Sequence, residues 1–197
     1  MFTGIISAVS NIKNTSARDG SLFLTIGKPR KWRLKPGDSI ATDGACLTVK
    51  RVFKDSYETE LMPETLAKTY FSKQLPKKVN LERPLTLNQF LDGHLVLGHV
   101  DGVGKILQIE KSGKSKIYII SYPPAFSKFL VAKGSITVDG ISLTVVQNSK
   151  HWFTVALVEY TLIHTTLGGK NEKNLVNLEF DIVAKYINSF YARSKKG

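Results

Sequence analysis

Asp43-Gly44-Ala45-Cys46-Leu47-Thr48-Val49 recurs ninety-six residues downstream as Asp139-Gly140-Ile141-Ser142-Leu143-Thr144-Val145. At that offset residues 39–69 match residues 135–165 at 12 of 31 positions, Ser39/Ser135, Leu61/Leu157, Thr65/Thr161, Leu66/Leu162 and Thr69/Thr165 among them. Val79-Asn80-Leu81-Glu82 returns as Val176-Asn177-Leu178-Glu179 with one extra residue, and Gly4 and Ile12 align with Gly98 and Ile106 at a slightly shorter offset. A period of about ninety-five residues is far longer than a solenoid repeat and describes a duplicated domain. Residues 1–84 form the first copy, 85–92 a linker and 93–181 the second, with 182–197 a helix and tail outside the repeat.

The repeated stretch reads as a pleated strand. Side chains alternate faces, so Ala45, Leu47 and Val49 share one side and Cys46 and Thr48 the other, matched by Ile141, Leu143 and Val145 against Ser142 and Thr144. The aliphatic row fills a barrel. The small polar row follows a glycine that permits close backbone approach, and it suits a flat heterocycle that wants hydrogen bonds. Duplication alone is equally compatible with a sheet face turned to water.

The remaining strands follow the same punctuation. Residues 2–12, 21–26, 39–42, 46–53, 57–62 and 78–82 read as strands in the first half, with one or two helical turns at 63–69 led by Pro63. Residues 94–106, 115–121, 134–146, 152–158 and 175–180 repeat them, with a short helix-like stretch at 125–132. Short, regularly spaced strands with turn signals between them predict an all-β fold, one closed antiparallel barrel per half. After Asp181, which can cap a helix, Ile182, Val183, Tyr186, Ile187, Phe190 and Tyr191 form one apolar helical stripe. That stripe must bury itself against the barrels or against another subunit.

A net charge of +12 raises the possibility of nucleic acid, but the basic residues are scattered through loops with Trp32 as the sole aromatic among them. No aromatic stacking platform emerges, and no nucleic-acid partner is expected. No apolar run reaches the length of a membrane span. Met1-Phe2-Thr3-Gly4 has neither the basic nor the apolar region of a signal peptide, and a single cysteine suits a reducing compartment. The expectation is a soluble cytoplasmic protein.

Met1-Phe2-Thr3-Gly4-Ile5, the paired Gly-x-x-Leu-Thr-Val strands, Gly93-His94-Leu95-Val96-Leu97-Gly98-His99-Val100 and the duplication resemble riboflavin synthase over residues 1–185. The resemblance implies two six-stranded Greek-key barrels and a C-terminal helix that helps join three subunits. It implies dismutation of two 6,7-dimethyl-8-ribityllumazine molecules into riboflavin and 5-amino-6-(ribitylamino)uracil by transfer of a four-carbon unit. It implies no metal or redox cofactor, and lumazine synthase as a further partner. Two lumazines would stack between barrels of neighbouring subunits, with much of the acceleration coming from proximity and orientation.

Carried over by position, the first half-site comprises Gly4, Ile5 and Ile6 with Cys46, Leu47, Thr48, Glu60, Leu61, Met62, Pro63, Glu64 and Thr65, bordered by Thr3. The second comprises Gly98, His99 and Val100 with Lys133, Ser142, Leu143, Thr144, Ala156, Leu157, Val158, Glu159, Tyr160 and Thr161. One lumazine must lose a 7-methyl proton and the other must be attacked by a hydroxyl, a thiol or water. His99 can move protons near neutral pH, Ser142 or Cys46 can supply a nucleophile or only a hydrogen bond, and Lys133 and Asp181 match polar positions of the family site. His94 and His99, five apart on a presumed strand, would point to opposite faces, which leaves His94 structural, and His151 and His164 read as surface residues. Glu159-Tyr160 stands where the first half has Pro63-Glu64, so the second half-site's backbone is open to a different turn there.

Three rival readings weaken on the same residues. A lumazine carrier would be expected to erode one half-site, yet both polar rows stand. A flavin reductase would need a nucleotide-binding α/β domain for which two barrels leave no room, and an RNA-binding pair of barrels would need stacking aromatics.

Overall fold

The computed structural model describes residues 1–195; Lys196 and Gly197 of the expected tail lie outside the described residues. Six strands form each half: β1 (Ala8–Arg18), β2 (Ser21–Gly27), β3 (Ser39–Thr42), β4 (Ala45–Val52), β5 (Ser56–Leu61) and β6 (Lys78–Glu82), then β7 (Gly102–Ser112), β8 (Ser115–Ser121), β9 (Ser135–Val138), β10 (Ile141–Asn148), β11 (Trp152–Leu157) and β12 (Leu175–Phe180). Both sets close in one antiparallel order, β1-β2-β5-β4-β3-β6 and its counterpart β7-β8-β11-β10-β9-β12, so neither sheet leaves an open edge. Even the bulges are duplicated, between Ile12 and Asn14 as between Ile106 and Gln108, and between Val49 and Arg51 as between Val145 and Gln147.

Alternation drives closure. Along β4 Ala45, Leu47 and Val49 are buried while Cys46, Thr48 and Lys50 are exposed, as the pleat requires. The first core gathers Leu24, Ile26, Ile40, Leu47, Val49, Tyr57, Leu61, Val79 and Leu81. The second gathers Ile106, Tyr118, Ile120, Ile136, Val145, Phe153, Val155, Val176 and Leu178. Each such aliphatic or aromatic side chain contributes about 1.5–3 kcal/mol on burial.

Two short helices, α1 (Pro63–Lys68) and α2 (Glu159–His164), follow β5 and β11 at the same repeat offset. Their N-cap residues have nearly the same backbone, φ −67° and ψ 162° at Met62 against φ −73° and ψ 160° at Val158. Glu159-Tyr160 therefore does not redirect the chain: proline at N1 favours this turn without being required for it. The expected helix-like stretch near 125–132 is a 3-10 turn at Pro124–Phe129.

The opening strands differ from expectation. Ladder pairing starts only at Ala8 and Gly102, and the preceding residues are extended loops held by one antiparallel bridge, Phe2 to Val96. Gly4 and Gly98, both at φ +79°, break the strand at equivalent points. Each loop then crosses to the opposite barrel. The Ser142 amide donates to the Gly4 carbonyl at 2.8 Å, and the Cys46 amide donates to the Gly98 carbonyl at 2.9 Å. Ile6 packs against the second core, while Val100 and Val103 pack against the first.

The barrels meet on a pseudo-dyad through a buried polar network. Gly44 and Gly140 abut so closely that a Cβ on either would lie 2.8 Å from the other's backbone nitrogen. Asn80 Nδ2 donates to the Asp139 carbonyl and Asn177 Nδ2 to the Asp43 carbonyl, each at 2.9 Å. The Asn80 and Asn177 amides donate to the Asp43 and Asp139 carboxylates at 2.8 Å. The symmetry ends at their second oxygens, where the Tyr70 hydroxyl donates to Asp43 and Lys170 Nζ pairs with Asp139 at 2.6 Å.

α3 (Ile182–Ser194) is capped as expected, Asp181 Oδ1 accepting from the Val183 amide at 2.9 Å. Its stripe lies open: Tyr186, Ile187 and Phe190 are 62%, 64% and 67% exposed. No helix among the described residues is long and apolar enough to cross a membrane.

Candidate active site

The crossing loops regroup the half-sites. Gly98, His99 and Val100 line a cleft of about 360 Å³ with Ala45, Cys46, Met62, Pro63, Glu64 and Thr65, all from the first barrel and α1. Cys46, Thr48, Glu60, Met62 and Thr65 also line a neighbouring depression of about 490 Å³. Gly4, expected beside Cys46, instead lies on Ser142. The reason is backbone geometry, since the Gly4 and Gly98 carbonyls satisfy the β10 and β4 amides of the opposite barrels. A Cβ at Gly98 would fall 2.5 Å from the Cys46 Cβ, and one at Gly4 2.6 Å from the Ser142 Cβ. Only glycine permits either approach.

Cys46 is the sole cysteine of the chain and is exposed on this floor. Beside it the Lys50 ammonium bonds Glu60 Oε2 at 2.5 Å and holds the Glu60 carboxyl below its ordinary range. Leu47 and Leu61, with Leu143 and Leu157 in the second half, turn into the cores, so they offer a ligand backbone only.

The second half-site carries a polar relay in place of a thiol. His94 Nδ1 lies 2.7 Å from Ser142 Oγ, and Nε2 lies 3.2 Å from Thr137 Oγ1. A hydrogen on Nε2 lets the ring donate to Thr137 and accept from Ser142. Burial lowers the imidazole pKa below its ordinary value, while the Asp181 carboxylate opposes that shift. Burial thus favours the neutral ring, whose Nδ1 can accept the hydrogen of the Ser142 hydroxyl. His94 is the residue that sequence reasoning set aside as structural. The strand that would have turned it away does not exist at residues 94–101, apart from the bridge at Val96.

The other expected residues take varied places. Thr3 is tied to Glu82, and Lys133 holds a left-handed turn (φ +65°) with its amide donating to the Val145 carbonyl at 2.7 Å. Thr144, Ala156, Val158, Glu159 and Tyr160 are exposed on the outer face of β10, the end of β11 and α2, with Thr161 half-buried beside them. A larger cleft of about 670 Å³ opens between the barrels, lined by Tyr70, Gln74, Lys77, Thr166, Lys170 and Asn174. None of the expected site residues lies in it.

A model of the lumazine binding domain matches residues 3–84 and again 97–181. The riboflavin synthase of Actinobacillus pleuropneumoniae is 39% identical over 96% of this chain and 89% of its own length. The chain belongs to the riboflavin synthase family. Similarity to other members is of the same order, with 37% identity to the Bacillus subtilis enzyme over 100% of this chain and 92% of that one. The Mycobacterium tuberculosis synthase is 40% identical over 95% and 96%. In fold the chain is similar to LumP complexed with riboflavin, with a TM-score of 0.85 at 23% identity over 91% of this chain and 99% of that one. A second LumP structure, complexed with 6,7-dimethyl-8-(1'-D-ribityl) lumazine, gives a TM-score of 0.81 at 24% identity over 91% and 98%. Within the family frame, the two matched regions are the two barrels with their crossing loops.

Proposed function

We propose that this chain is a riboflavin synthase, converting two 6,7-dimethyl-8-ribityllumazine molecules into riboflavin and 5-amino-6-(ribitylamino)uracil. The observation that carries the reading is that both outer faces keep a small polar row, Cys46 against one crossing loop with Thr48 beyond it, and Ser142 against the other with Thr144 beyond it. A pair of matched floors suits a reaction whose two substrates are the same molecule. Four carbons leave one lumazine and join the other, so atoms balance without an oxidant.

The two floors differ in reactivity. At the second, Ser142 Oγ is poised to add to an electron-poor lumazine ring carbon while His94 Nδ1 accepts its proton. The same imidazolium then returns that proton to Ser142 Oγ as the bond between Oγ and the ring carbon breaks, once the four-carbon unit has passed to the other lumazine. At the first, His99 borders the cleft over exposed Cys46 and is placed to move the 7-methyl proton of the other lumazine. Holding both rings face to face supplies the remaining acceleration. Ser142→Ala and His94→Asn are each expected to lower kcat by about a hundredfold with a smaller change in KM. Steady-state kinetics on both variants check this, and an unchanged kcat in either removes the relay from the mechanism.

Facing floors require a second barrel from another copy, because β4 and β10 turn their polar rows outward. The uncovered stripe of α3 supports assembly through that helix into a trimer. Phe190→Glu is expected to yield monomers in sedimentation velocity; assembly unaffected by it would rule out α3 as the joint.

The reaction is tested by incubating purified protein anaerobically with 6,7-dimethyl-8-ribityllumazine and no added cofactor. One riboflavin per two lumazines is expected. Tight binding without riboflavin would make the chain a lumazine carrier.

A further inference from the structure

The repeated Val-Asn-Leu-Glu stretch places two carboxylates that the chemistry above does not use. Glu82 near the end of β6 and Glu179 near the end of β12 are each 4% exposed, an unusual burial for glutamate. Glu82 Oε1 accepts from the Thr3 amide at 2.6 Å and the Thr3 hydroxyl at 2.7 Å, and Oε2 accepts from the Gly4 amide at 3.0 Å. Glu179 Oε1 accepts from the Leu97 amide at 2.8 Å and Oε2 from the Gly98 amide at 3.0 Å. The two arrangements are counterparts under the duplication. In both, consecutive loop amides ending at a left-handed glycine converge on one carboxylate, where a strand partner would otherwise stand.

The charged surroundings differ. Burial raises both carboxyl groups above their ordinary range, and the loop amides oppose that rise. The N-terminal ammonium of Met1 also favours the Glu82 anion, whereas Lys185 favours and Asp101 opposes the Glu179 anion. Each loop glycine is thus gripped on two sides. Gly98 is held by Glu179 of the second barrel and through its carbonyl by Cys46 of the first, and Gly4 is held by Glu82 of the first and by Ser142 of the second.

We propose that Glu82 and Glu179 are positioning residues that act across the barrel boundary, each seating the loop that completes the other barrel's half-site. Glu179 seats Gly98 and His99 over Cys46, and Glu82 seats Gly4 over Ser142. The catalytic consequence rests on the half-site reading given under Proposed function; the seating of the loops does not.

Glu179→Gln and Glu82→Gln keep side-chain shape but turn an amide NH2 toward at least one loop amide. In Glu179→Gln, Cys46 is expected to react with dithionitrobenzoate about tenfold faster than in the unaltered protein, because the Gly98 loop packed against its Cβ and backbone is freed. Glu82→Gln leaves that rate unchanged. In riboflavin titrations followed by fluorescence quenching, Glu179→Gln weakens the site shielding Cys46 about tenfold and Glu82→Gln weakens the other. Lumazine KM rises in both variants with kcat changed less. Equal Cys46 rates in Glu179→Gln and the unaltered protein overturn the proposal, as does a Glu82→Gln rate raised as much as that of Glu179→Gln. A chain that binds neither lumazine nor riboflavin sinks the half-site reading while the thiol rates still decide the tether. If Glu179→Gln fails to fold, amide hydrogen exchange on the unaltered protein decides it. Leu97 and Gly98 must then exchange at least about tenfold slower than the amides of exposed Leu87 and Phe90, and equal rates refute the tether.

Discussion

Gly98→Ala is expected to lower kcat/KM at least about a hundredfold while the barrels still fold. The added methyl would sit 2.5 Å from the Cys46 Cβ and 2.9 Å from the Cys46 nitrogen, which is strand backbone and cannot move aside. The backbone at φ +79° adds about 1–2 kcal/mol of strain for any residue with a side chain. Relief requires lifting the loop, and the loop carries His99 and the wall of the Cys46 cleft. Misplacement of positioning groups by about an ångström is worth about a hundredfold in rate. Gly113→Ala is the control, because Gly113 also has positive φ (+61°) but a Cβ there would meet no atom within 4 Å. It is expected to cost about 1 kcal/mol of stability and no activity. Kinetics and thermal unfolding on both variants check the pair. Full activity in Gly98→Ala would mean that the crossing loop is not part of the site.

Lys170→Met is expected to cost about 3–5 kcal/mol of stability, the usual consequence of stranding a buried carboxylate. Lys170 Nζ lies 2.6 Å from Asp139 Oδ2, donates to the Leu175 carbonyl at 2.7 Å and sits 4.5 Å above the Tyr70 ring. Without it Asp43 and Asp139, both fully buried, face one another with only neutral donors between them. Even with Lys170 present, burial chiefly, and then the Asp139 charge, push the Asp43 pKa up to about 7. The folded protein therefore binds a proton that the unfolded chain, with an ordinary aspartate, releases near pH 4. Stability from this group is fully present below about pH 4 and is lost as pH rises toward 7. Asp43→Asn, which tolerates the left-handed backbone at φ +41°, is expected to flatten that slope. Chemical denaturation at several pH values measures it, and an unchanged slope would place the proton elsewhere.

What the sequence made legible follows from how local each signal is. The Leu-Thr-Val pleat specified its buried and exposed faces because alternation within one strand needs no partner. The Asp181 cap and the α3 stripe were readable for the same reason, being written within a few turns of one helix. The crossing of the loops was not readable. Cys46 to Gly98 and Ser142 to Gly4 are pairings between halves, and a duplication aligns each loop with its own copy and says nothing of which barrel it serves. The place of His94 was hidden by that omission, since its contact with Ser142 depends on a loop bending toward β10. The recurrence of Asn80 with Asn177 and of Glu82 with Glu179 inside otherwise apolar strands was the available signal. Buried polar side chains need partners, and these find theirs across the pseudo-dyad or in the crossing loops.

The most direct measurement is a crystal structure of the protein with riboflavin. Two half-sites assembled by crossing loops predict flavin rings on the outer faces of β4 and β10, one against Cys46 and Gly98 and one against Ser142 and Gly4. Rings seated in the cleft between Tyr70 and Lys170, with both outer faces empty, would contradict the account.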